Sequence, residues 1–150
     1  MPLFGNARTL IRANLDAIKR GEKAPLVVIG TLTELQLAVI NQARKASNHP
    51  PIVAEVLFIG RHVYRSRIER DGYTSEDVIE QIASGMDAAA IVLMDQTMTT
   101  MENPEPRADR YGNSVRDRVV LECSARHRKP ELFSVIPRGD HIKPKRPLTE

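Results

Sequence analysis

The sequence predicts an α+β domain in which N-terminal helices pack on an antiparallel β-meander. Two observations carry this. In the early part of the chain, apolar residues recur at helical spacing, as in Leu10, Ile11, Leu15 and Ile18. Later, three strand-like runs follow one another ("AAAIVLMDQTMTTM", "RDRVVLECSA" and "PELFSVIPRG"), with turn residues and no helical period between them. Strands joined without a crossover helix pair most simply as antiparallel neighbours, and helices then cover one face of the sheet.

Each element has a local reason. Residues 7 to 20 form an amphipathic helix that Gly21 stops. "PLVVIG" is a strand or a buried connector. Thr33 opens "TELQ", a capping box with Gln36, and Leu35, Ala38, Val39 and Gln42 continue that helix until "SNHPP" ends it. A boundary falls there, separating a helical arm (1–50) from an α+β unit (51–140), with a basic tail over 141–150. "IVAEVLFIG" is a strand ending at Gly60. "RHVYRSRIER" is a short helix and "DGY" a turn. "TSEDVIEQIASG" is a second helix, capped by Thr74, with Glu76 and Asp77 in its first turn and Gly85 as its stop. Val78, Ile79 and Ile82 form its apolar stripe. The tail "HIKPKRPLTE" has two prolines and no periodicity.

Composition bounds the function. The chain has 150 residues, 41% of them apolar, enough for one domain with a real core. No apolar run nears the length of a membrane span, and the N-terminus lacks the apolar core of a signal peptide. Cys123 is the only cysteine, so no internal disulfide can form. A reducing cytoplasm is the simplest compartment. The four histidines have no metal-ligand spacing, and phosphate-loop and dinucleotide fingerprints are absent. No metal or cofactor is expected. The net charge of +3 is mild, but it is unevenly spread. Residues 61 to 70 hold four arginines against one glutamate, and residues 124 to 150 hold seven bases against three acids. Two such foci facing one direction would suit a polyanion.

The sharpest local feature is "GRHVYRSRIERDGYTSEDVIEQI". Arg61, His62 and Arg65 crowd the start of a helix, where cations oppose the dipole at a cost of about 0.3–1 kcal/mol each. A bound phosphate would reverse that sign; pairing with Glu55, Asp95 or Asp117 would also compensate. At helical spacing His62, Arg65, Ser66 and Glu69 share one arc, while Val63, Tyr64 and Ile68 face the core. Further along, "NPEPRADRYGN" is a long connection carrying Arg107, Arg110 and Tyr111, suited to stacking a base and holding phosphates, or simply to closing a hairpin. In the next strand Val119, Leu121 and Cys123 share one face, and Arg116, Arg118, Val120 and Glu122 the other. In "ELFSVIPRG", Ser134 and Arg138 share a face with Leu132 and Ile136.

Taken together, residues 52 to 140 resemble the barnase–EndoU–colicin–RelE superfamily of small nucleases, most nearly RelE/ParE-type toxins and related bacterial and phage domains. The pieces that carry the resemblance are His62 and Arg65 at a helix entry, the run Gly72, Tyr73, Thr74, Asp77 and Val78, and the strands "VVLEC" and "LFSVIPRG". The resemblance implies a RelE/barnase-like fold and a metal-independent endoribonuclease that transfers the 2′-oxygen onto the adjacent phosphate. His62 would be acid or base, Arg65 and Arg116 would hold the phosphate, and Ser134 would hydrogen-bond it. Arg61, Arg110, Tyr111, Arg118 and Arg138 would contact the nucleic acid. Partners would be RNA and a cognate antitoxin or inhibitor protein. ParE-like relatives bind proteins without cutting RNA, so the other reading is a non-catalytic nucleic-acid- or protein-binding accessory protein of phage or plasmid origin. Leu10, Leu15, Ile18, Leu35 and Val39 would either cover the sheet or form a dimer surface.

Overall fold

The structure is a computed structural model that describes residues 3–46, 48–86, 92–93, 110–112, 117–123 and 128–137, with only the backbone described at 92–93 and 110–112. In chain order the elements are α1 (Ala7–Lys19), β1 (Val27–Thr31), α2 (Glu34–Ala46), β2 (Glu55–Phe58), α3 (Arg61–Val63), a π-helix (Tyr64–Arg70), α4 (Ser75–Met86), β3 (Val92–Leu93), β4 (Arg110–Gly112), β5 (Arg118–Glu122) and β6 (Glu131–Ile136). The class is α+β: helices with one mixed sheet in the order β1-β2-β6-β5-β4-β3.

The late strands β3 to β6 form the expected antiparallel meander. One pairing differs from the expectation. β2 and β6 run parallel, with Leu57 opposite Glu131 and Phe58 opposite Leu132. Three helical elements (α3, the π-helix and α4) and three strands separate β2 from β6 in the chain. That is ample length for the crossover a parallel pair requires, and no local pattern announces it. A second difference is β4. Arg110 and Tyr111, expected in a long connection, belong to a strand pairing with β3 and β5.

α1 and α4 lie side by side on one face of the sheet, joined by ion pairs from Arg8 to Glu80 and from Arg12 to Glu76 (2.6 Å). Their apolar stripes supply Ala7, Ile11 and Leu15 from α1 and Val78, Ile79 and Ile82 from α4. Opposite them the sheet supplies Ile29, Val56, Phe58, Val119, Leu121, Leu132 and Val135. The N-terminal stretch expected as a helical arm thus contributes a strand to the sheet and shares this core. Gly85, expected to stop α4, lies inside it. A Cβ there would come within 2.6 Å of the Asp117 carbonyl and of Val119, so Gly85 lets helix and strand approach closely.

The helix starts are as the sequence predicts. Thr33 N–H donates to Gln36 Oε1 (2.9 Å), and Gln36 N–H returns to Thr33 Oγ1 (3.1 Å). Thr74 and Asp77 repeat the arrangement at α4. The buried side of α2 is not the predicted one. Gln36, Ile40 and Arg44 are buried, while Leu35 is 69% exposed and Val39 is open to solvent. Arg44 is fully buried. Its Nε donates to the Pro50 carbonyl (2.7 Å) and its Nη1 to the Cys123 carbonyl. One guanidinium therefore ties the end of α2, the loop after it and the end of β5. No described helix is long and apolar enough to cross a membrane.

Candidate functional site

The site begins where β2 ends. Phe58 is buried, and two residues later Gly60 turns the chain at φ +72, a left-handed conformation that suits glycine. A Cβ at Gly60 would collide with Asn14 Oδ1 and lie 2.9 Å from Phe58. Asn14, 1% exposed on α1, is held by its Nδ2 donating to the Pro25 carbonyl (2.9 Å). The turn is therefore packed from beneath by α1, and it delivers Arg61 and His62 to the surface.

Only Arg61–Val63 is α-helical. Tyr64–Arg70 winds as a π-helix, with one more residue per turn. This corrects the single α-helix expected over 61–70. Val63 still faces the core, with Tyr64 and Ile68 packed partly against it. Ser66, expected on the polar arc, is instead 7% exposed, and its Oγ lies 3.3 Å from His62 Nε2. Arg67 turns inward to pair with Asp71 (3.0 Å), and burial lowers its pKa while Asp71 opposes that. The π-helix follows α3 without a break, so its peptide dipoles add to those of α3, and the cations at the start of the segment still oppose them.

A cleft of about 220 Å³ opens above this turn, lined by Ile59, Gly60, Arg61, His62, Arg65, Glu131 and Phe133. Arg61, His62 and Arg65 are exposed. Among the described residues neither Arg61 nor Arg65 pairs with a carboxylate. The proposed structural partners are occupied elsewhere or lie apart: Glu55 faces Lys129 (3.7 Å), Asp117 is 1% exposed, and Asp95 lies outside the described residues.

β6 forms the other wall, and a bulge sets its shape. Val120 pairs with Ser134 and Leu121 with Leu132, which leaves Phe133 as an extra residue. Bulges re-aim side chains, and they are common beside functional sites. Here the bulge places Phe133 against His62, with ring centroids 4.3 Å apart and planes 15° from parallel. It also breaks the alternation read from the sequence: Leu132 is opposite Leu121 on the core face, while Ser134 is opposite Val120.

Of the residues expected to act together, the structure brings His62, Arg61 and Arg65 into one cleft. Ser134, expected to touch phosphate, is 6% exposed and does not line it. Arg118 is half-buried on β5 and does not line it either. Arg110 and Tyr111 are placed by backbone only, opposite Glu122 and Leu121. Arg116, Arg107, Arg138 and the 141–150 tail lie outside the described residues. Two cleft residues were not expected. Glu131 reaches the site through the parallel pairing, and Phe133 through the bulge. No group of three or more metal-ligating side chains occurs among the described residues. No family model matches this chain, and neither the curated proteins nor the solved structures give a match.

Proposed function

We propose that this cleft is the active site of a metal-independent endoribonuclease. The observation that carries the reading is the meeting of His62, Arg61, Arg65 and Glu131 in one open cleft. Cleavage by 2′-oxygen transfer needs a base, an acid and cations for the developing phosphorane charge. Glu131 takes the proton of the 2′-hydroxyl. The 2′-oxygen bonds to phosphorus and the bond from phosphorus to the 5′-oxygen breaks. The imidazolium of His62 gives its proton to that departing oxygen, while Arg61 and Arg65 hold the phosphate. The products are a 2′,3′-cyclic phosphate and a 5′-hydroxyl, and water returns the proton from Glu131 to His62.

We place this activity in the cytoplasm; an inhibitor protein with an acidic segment laid over Arg61 and Arg65 would have the matching chemistry. The test is incubation of the purified chain with RNA and with the same strand carrying 2′-deoxyribose throughout. The reading expects cyclic phosphate ends from the first and no cleavage of the second. RNA that is bound in a salt-sensitive way yet left intact would point instead to the non-catalytic nucleic-acid-binding protein.

A further inference from the structure

We propose that Ser66 and Phe133 are positioning residues for His62: Ser66 Oγ accepts the Nε2 proton, Phe133 fixes the plane of the ring, and Nδ1 is the nitrogen that delivers a proton in the cleft. The inference rests on the ribonuclease reading for its chemistry, and on three observations of its own for the geometry.

The first is the contact of Ser66 Oγ with His62 Nε2 at 3.3 Å, made by a serine that is only 7% exposed. A serine hydroxyl oxygen has two lone pairs that can accept from the ring. A neutral imidazole has one N–H, and the hydrogen bond made by one nitrogen decides which carries it. With Nε2–H donating to Ser66, Nδ1 is the site that gains and loses the proton. The imidazolium keeps the same orientation, because its Nε2–H still meets Ser66 and its Nδ1–H is the one passed on.

The second observation is the stack on Phe133. With centroids 4.3 Å apart and planes 15° from parallel, the imidazole cannot tilt without losing that contact. The third is that both supports depend on local irregularities of the backbone. The π-helix sets the turn that carries Ser66, and the β6 bulge brings out Phe133. Both kinds of irregularity occur often at functional sites.

The experiment is long-range proton–nitrogen NMR of the ¹⁵N-labelled full chain without RNA, at a pH where the ring is neutral. It compares wild type with Ser66→Ala, Ser66→Thr and Phe133→Leu. Wild type should show Nε2 protonated, with its proton exchanging slowly enough to be seen. That signal should vanish in Ser66→Ala and return in Ser66→Thr, which keeps the hydroxyl. The ring-current shift of the His62 carbon-bound protons should be lost in Phe133→Leu. In the cleavage assay, Ser66→Ala should lower kcat about tenfold with KM unchanged, and Ser66→Thr should recover it. A neutral ring protonated at Nδ1, or an Nε2 signal that is the same in Ser66→Ala, would overturn the inference. The spectra need no activity, so they decide the positioning roles separately from the cleavage assay, which decides the ribonuclease reading.

Discussion

His62 on α3 and Phe133 on β6 stack face to face, 4.3 Å apart, although 71 positions separate them in the chain. The contact joins the two halves of the cleft. One half is the turn after β2 and the other is the bulged strand beside it. What holds each half in place can be tested by removing one support at a time.

Gly60 is the first support. Its φ of +72 disfavours any side chain, and a Cβ would meet Asn14 and Phe58. Gly60→Ala should destabilise the fold by about 1–3 kcal/mol from backbone strain alone, and by more if Asn14 cannot move. Chemical denaturation of the variant against wild type measures this. A change below a few tenths would mean that the turn relaxes freely.

Arg44 is the second. Its guanidinium, fully buried, serves the carbonyls of Pro50 and Cys123. Arg44→Met fills much of the same volume but leaves both acceptors without that donor. Each orphaned group costs about 1–3 kcal/mol, so a loss of about 3 kcal/mol is expected, read from the denaturation midpoint. Replacement with no loss would mean that water or other donors reach those carbonyls.

The α1–α4 contact should leave a mark on the pH dependence of stability. Arg12 lowers the pKa of Glu76 below its ordinary 4.5, chiefly through its side-chain hydrogen bond. The unfolded chain then binds that proton at a higher pH than the folded one does. The contribution is whole above the ordinary value, and it is lost as pH falls through the lowered one. Arg12→Gln should flatten the acid side of the stability curve in that window. Both side chains are exposed, so the difference should be small and should shrink in high salt. Parallel curves for the two proteins would show that the pair adds nothing.

Much of this fold can be read residue by residue. Thr33 with Gln36 and Thr74 with Asp77 are local signals, and both caps form. Leu15, Val78 and Ile82 sit at helical spacing and are buried. The alternation of Val119, Leu121 and Cys123 marks a core face, and all three are buried. What stayed hidden depends on long-range pairing or on breaks in periodicity. Glu131 enters the cleft because β6 lies parallel to β2, a neighbour chosen by the whole sheet. Phe133 enters because one extra residue interrupts an alternation that looks regular in "ELFSVI". Ser66 turned inward because the segment winds as a π-helix, so counting at 100° per residue misplaced it. In α2 the burial of Arg44 could not be foreseen, since its compensation comes from carbonyls far along the chain.

The central claim is that His62 does chemistry in a cleft prepared for phosphate. The most direct measurement is RNA cleavage by wild type and His62→Ala, with thermal melting of both proteins beside it. His62 is exposed, so its loss should shift the melting temperature little. The account predicts that cleavage falls at least about a hundredfold while the fold survives, the scale expected for removing a general acid. Undiminished cleavage in a well-folded His62→Ala, or no cleavage by either protein, would contradict it.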